Sequence, residues 1–139
     1  MRFPKSATEK RKPLSATARR AGWVGCNIVL TNIPDVARVP IIVSGITQRP
    51  SDVRRQFRHL RPLADLNVEE RGWTLDVLTV VRSLGRTQFV LDDVYAKERE
   101  LGRLHPDNRH VRDKIRQQLQ VLRDKGLVEF SERGNYRLR

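Results

Sequence analysis

Residues 110–138, HVRDKIRQQLQVLRDKGLVEFSERGNYRL, constrain the fold of this chain more than any other stretch. Val111, Ile115, Leu119 and Leu122 recur at helical spacing and form one apolar stripe, which must pack on other elements. At about 100° per residue, the opposite face collects Arg109, Asp113, Arg116, Gln117 and Gln120. Arg112 and Arg123 fall on one shoulder and Lys114 on the other. Gly126 is a helix stop, after which LVEF, the turn SERGN and YRLR read as a β-hairpin.

Two further helices precede this one. TLDVLTVVRSLG predicts a helix capped by Thr74 and stopped by Gly85, with Leu75, Leu78 and Val81 facing a core. Phe89 is expected to open a second helix, in which Leu91, Val94, Tyr95, Glu98 and Leu101 repeat every three or four residues. HPDN is a turn, with Asp107 or Asn108 capping the third helix. Helix, helix, turn, helix, hairpin is the order of a winged helix-turn-helix, here residues 71–139 with the hairpin as wing.

The outer face of the third helix suits DNA. Arginine matches guanine and glutamine matches adenine in the major groove. A recognition helix offers the groove mainly its N-terminal half, which favours Arg109, Arg112, Asp113, Arg116 and Gln117 over Gln120 and Arg123. Arg133 in the hairpin turn and Arg137 on the returning strand are candidates for phosphate or minor-groove contacts. A plainer reading stands beside this one. Mixed charges on a helix are often a solvated face, and Asp113 and Asp124 can pair with neighbours three or four residues away. Some winged helices bind proteins instead.

The charge balance favours a polyanionic partner: 28 Lys and Arg against 16 Asp and Glu, a formal +12. Both halves of the chain are basic. A GC-rich genome would explain part of the arginine bias but not the net charge. The single cysteine, Cys26, excludes an internal disulfide and a cysteine-only zinc site, fits a reducing cytoplasm, and is expected to be buried. His59, His105 and His110 lack metal-site spacing and are expected on the surface. No signal peptide or membrane-spanning run is present. Asp92, Asp93, Glu98 and Glu100 share a helix whose other face is core, so surface ion pairs are their expected role, not catalysis.

The N-terminal part is less regular. Residues 1–21 are a basic stretch without periodicity, either a flexible arm or a loop. Residues 26–30 and 39–43 predict short strands, and Ser51 is expected to cap a helix carrying Val53, Phe57 and Leu60 on one side. Residues 62–72 have the composition of a linker, which sets a boundary between residues 1–70 and 71–139.

KRKPLSATARRAGWVGCNI at 10–28, RGWTLDVL at 71–78 and KIRQQLQVLRDKGLVEFSERGNYR at 114–137 resemble the C-terminal half of the DpnI and Dam-replacing family. The resemblance spans nearly the whole chain. It implies bacterial restriction endonucleases that cut GATC containing N6-methyladenine, built from a PD-(D/E)XK nuclease domain followed by a winged helix. It implies an α+β chain in which residues 1–70 are a remnant of the nuclease domain and residues 71–139 bind double-stranded DNA. The family's magnesium-binding carboxylates and lysine, and the CxxC pairs of its zinc site, lie upstream of the matching segment. The chain is therefore expected to hold no cofactor, to be inactive alone, and to be a truncated member or one half of a split nuclease with a separately encoded N-terminal partner. The Pro34-Asp35 dipeptide is followed by no Glu-x-Lys at strand distance. A free-standing regulator is the other alternative.

Within the nuclease remnant, Arg19, Arg20 and Trp23 stand out as DNA candidates. Trp23 has two readings, a core anchor or an aromatic plate that senses the methyl group of methyladenine. One methyl is worth only about 0.8 kcal/mol of burial, so discrimination needs more than one contact. Trp73 is expected to pack at the domain junction.

Overall fold

The structure is a computed structural model and describes residues 7–139. It contains two compact units, divided after Ile33.

In the first unit β1 (Thr8–Lys10) pairs antiparallel with β2 (Cys26–Ile28), Thr8 opposite Ile28 and Lys10 opposite Cys26. The pairing continues outward. Arg11 N donates to the Gly25 carbonyl at 2.9 Å and Leu14 N to that of Trp23 at 2.9 Å. The described part of the basic N-terminal stretch is thus one side of a hairpin, and residues 1–6 of that stretch lie outside the described residues. Thr-Glu-Lys carries no apolar alternation, so its strand state depends on the partner strand. Cys26 is exposed, against expectation, because a two-stranded ribbon leaves most of its side chains in water.

The second unit opens with a short 3-10 turn at Asp35–Ala37. Strands β3 (Ile42–Val43) and β4 (Ile46–Thr47) follow, joined by Ser44 at φ 49° and Gly45 at φ 80°. Two consecutive left-handed residues make a type I′ turn, whose twist suits a tight hairpin. Helix α1 (Pro50–Leu60) has Arg49 at its N-cap and Pro50 in its first turn. Ser51 therefore lies inside the helix, because a proline with φ preset near −65° starts it earlier.

Helix α2 (Val68–Ser83) also starts earlier than expected, with Asn67 Oδ1 accepting from Glu70 N at 2.9 Å. Part of the linker-like stretch is therefore helix, and Thr74 is interior and buried rather than a cap. Phe89 lies in a strand, β5 (Gln88–Val90), not in a helix. The expected second helix is two, α3 (Leu91–Tyr95) and α4 (Glu98–Leu104). No proline or glycine marks the break at Ala96 and Lys97. Helix α5 (Val111–Asp124) is followed by β6 (Val128–Glu132) and β7 (Asn135–Leu138). Its N-cap is His110. Asn108 instead accepts from His110 N at 2.8 Å through its side chain. The helix ends as the sequence predicts. Gly126 sits at φ 72°, and Leu127 N reaches back to the Leu122 carbonyl at 2.9 Å.

The three strands form one antiparallel sheet in the order β5-β7-β6. Phe89, Tyr136 and Phe130 lie opposite one another across it. The core gathers Trp73, Val77, Leu78 and Val81 of α2, Phe89 of β5, Val94 of α3, Leu101 of α4, and the predicted α5 stripe Val111, Ile115, Leu119 and Leu122. Leu63 is part of it, and Val36 and Leu66 pack against it. Trp73 is thus fully inside this core. The architecture is α+β.

Candidate nucleic-acid interface

Helix α5 presents its groove-reading candidates because its other side is fully used. Val111, Ile115, Gln118, Leu119 and Leu122 are buried. At helical pitch this leaves Asp113, Arg116, Gln117 and Gln120 pointing away, and all four are exposed. Arg112 and Arg123 are exposed on the shoulder. Arg109 is also exposed, but it precedes the first residue of α5 and belongs to the turn before the helix, not to its outer face.

Tyr95, at the end of α3, organises two of these arginines. Arg116 Nε donates to the Tyr95 hydroxyl. The guanidinium carbons of Arg112 and Arg116 lie 5.1 and 5.7 Å from the Tyr95 ring centroid, within cation–π range. Arg112 Nε also donates to Glu98 Oε2 at 2.8 Å, and that carboxylate raises the Arg112 pKa above its ordinary value. Arg123 pairs with its neighbour Asp124 at 2.9 Å. The row of guanidiniums is therefore fixed at Arg112 and Arg116, with one carboxylate answering Arg112. Nothing in the spacing of Tyr95 points to this use, since it fits an apolar helical repeat equally well.

The hairpin brings more cations to the same unit. Arg133 is exposed in the turn beside Gly134, whose φ is 79°. Arg137 is exposed on the central strand, across from Gln88 on one side and Glu129 on the other. Tyr136 stacks on Phe89 with centroids 5.4 Å apart and meets Phe130 edge-on at 5.4 Å. Burial pushes the Tyr136 pKa above its ordinary value. The charge of the Tyr95 phenolate adds to that, and Arg116 and Arg123 partly offset it. The arginine shoulder of α5 is therefore electrostatically coupled to the hairpin.

Arg19 and Arg20 are exposed in the first unit, in the loop that joins β1 to β2. Trp23 is 53% exposed, so it is not a core anchor. Its ring lies against Gly25, where an added Cβ would come within 2.9 Å of the indole. Glycine at that position lets the ring fold down on the backbone.

Among the described residues, no three His, Cys, Asp or Glu side chains gather where they could hold a metal ion. No described helix is long and apolar enough to cross a membrane. His105, expected on the surface, is mostly buried. It stacks on Trp73 with centroids 3.7 Å apart, and its Nε2 lies 2.7 Å from Asp76 Oδ2.

Four helices packed around one core, an exposed polar face carrying arginines on the last helix and a β-hairpin with Arg133 in its turn define a DNA-binding helix-turn-helix protein. The family models agree: residues 69–138 match the Dam-replacing HTH domain and residues 3–66 match the Dam-replacing family. The chain belongs to the Dam-replacing family.

Proposed function

We propose that residues 71–139 are a winged helix that binds duplex DNA, with α5 in the major groove and the β6–β7 hairpin as the wing. The observation that carries this reading is the division of α5, whose buried side leaves Arg116, Gln117 and Gln120 exposed together. Arg116 and Gln117, with Arg112 and Asp113, read base edges from the N-terminal half of the helix, and Arg109 contacts the DNA from the turn before it. Gln120 extends the row. Arg133 and Arg137 contact the phosphate backbone or the minor groove beside it.

The preferred sequence in this proposal is GATC carrying N6-methyladenine. Support comes from family membership and from the forked donors and acceptors on α5. Arg19, Arg20 and Trp23 make a second contact, with the exposed indole against the methylated base. A methyl group alone is worth about 0.8 kcal/mol of burial, so two such contacts discriminate better than one. The chain alone is expected to leave methylated plasmid intact with Mg²⁺, because it contains no Glu-x-Lys from which to build a carboxylate–lysine site.

Fluorescence anisotropy with three duplexes tests the proposal: GATC methylated on both strands, unmethylated GATC, and a scrambled site. Tightest binding to the methylated duplex is expected. Equal binding to all three would remove the methyladenine preference, and no binding to any would remove the DNA reading.

A further inference from the structure

A groove of about 470 Å³ runs alongside α1, lined by Val39, Ile41, Val53, Arg54, Phe57 and Arg58. No residue of α1 is buried. Phe57 and Ile41 are each 61% exposed, and Ile42, Val43 and Ile46 of the adjoining hairpin are exposed as well. Isolated exposed apolar side chains are ordinary, but a cluster this large around a concave surface marks a place where another surface sits.

The charges around the groove say what kind of surface. Arg54 and Arg58 are one helical turn apart and line the groove with Phe57 between them. Asp52, the one acid on α1, is taken by Arg55. A second copy of the chain would bring a +12 body to an already basic rim, and repulsion opposes that pairing. A nucleic acid would answer the arginines but leave the apolar floor uncovered. We propose that the groove docks an amphipathic polypeptide segment, with its apolar side chains on Ile41, Val53 and Phe57 and its carboxylates facing Arg54 and Arg58. The mode is a helix laid in a groove, read through anchors at i, i+3, i+4 and i+7. The proposal does not depend on the reading of α5.

The probe is a fluorescein-labelled helical peptide of about four turns, with Leu and Phe on one face and Glu on both flanks. It is titrated with the full chain. Saturable binding is expected, weakened at least about tenfold by Phe57→Ser and by Arg54→Glu combined with Arg58→Glu, and weakened by added salt. Phe57 is exposed, so circular dichroism of its variant should match the parent, and methylated duplex should bind that variant as before. Five results overturn the proposal. The same peptide with Lys for Glu binds equally well, or duplex DNA displaces the peptide. Alternatively, vesicles of phosphatidylglycerol bind in a Phe57-dependent way while the peptide does not, or sedimentation shows a dimer that Phe57→Ser dissolves. Peptide binding indifferent to both sets of substitutions likewise removes the groove from consideration.

Discussion

Trp73 of α2 stacks on His105 at the end of α4, with ring centroids 3.7 Å apart and planes 13° from parallel. The imidazole Nε2 lies 2.7 Å from Asp76 Oδ2, one helical turn along α2 from Trp73. Both polar side chains are nearly out of water, at 15% and 11% exposure. This contact pins α4 to the central helix.

His105→Ala removes the stack and leaves the Asp76 carboxylate buried without its partner. Breaking a buried polar pair from one side typically costs about 3–5 kcal/mol, and the residual exposure places this pair near the lower figure. Urea denaturation followed by circular dichroism measures it. A loss below about 0.5 kcal/mol is what an ordinary surface histidine would give, and that result would refute the pinning role.

Thr74 and Gln118 form the second polar contact inside the core. Thr74 Oγ1 lies 2.7 Å from the Glu70 carbonyl and 2.6 Å from Gln118 Oε1. A hydroxyl has one proton to donate. Both atoms are satisfied when the Gln118 amide turns its nitrogen toward Oγ1 and the hydroxyl donates to Glu70. In the opposite orientation Gln118 Nε2 is buried without a partner. Thr74→Val should cost about 1–3 kcal/mol, because it strands the amide. Thr74→Val with Gln118→Leu should recover most of that loss, since removing both partners is nearly neutral. A double-mutant cycle showing simple additivity would mean the two side chains do not interact.

Much of this architecture was legible beforehand, for a reason visible in α5. Its stripe is long, its period is clean, and Gly126 supplies the left-handed stop. The hairpin carries its own turn signal. Phe89 escapes a reading by periodicity because a three-residue strand has no period to detect, and its strand state is imposed by Tyr136, far along the chain. Gln118 shows a different limit. Its helical phase, three after Ile115 and four before Leu122, places it inward, while its residue type suggests the opposite. The arginine row on α5 was legible from phase alone. Tyr95 as its anchor was not, because that role depends on Arg116 arriving from another helix.

Tyr136 gives a prediction in pH. Its pKa is raised, mainly by burial, so the folded chain holds the phenolic proton more tightly than the unfolded chain does. Such a group contributes stability that is fully present below the unfolded value of about 10 and lost as pH rises through the folded value. Phenolate absorbance of a Tyr95→Phe variant isolates Tyr136. Its titration should lie above that of free tyrosine, and Arg116→Ala should move it higher by removing a nearby positive charge. A midpoint at or below the free value would show that the ring is not desolvated.

The last prediction separates base reading from phosphate contact. Arg116 is held against Tyr95 on the outer face of α5, whereas Arg133 is exposed at the tip of the hairpin. A side chain that reads a base edge discriminates by about 1–3 kcal/mol, so Arg116→Ala or Gln117→Ala should weaken the methylated GATC duplex by that amount and flatten the preference over a scrambled site. Tyr95→Phe keeps the ring and loses the hydroxyl. It should reproduce part of the Arg116→Ala effect, about 1 kcal/mol, without changing folding stability comparably. Arg133→Ala should weaken all duplexes alike. It should also lower the slope of log K against log salt by about one contact, because each phosphate contact releases roughly 0.9 counterions. All four positions are exposed or half-buried, so urea melts should show only small stability changes for the three alanine variants. Anisotropy over a salt series resolves the two behaviours. Should Arg116→Ala change only the salt slope and Arg133→Ala change specificity, the roles given to helix and hairpin are reversed; should neither change anything, the α5 face is simply solvated.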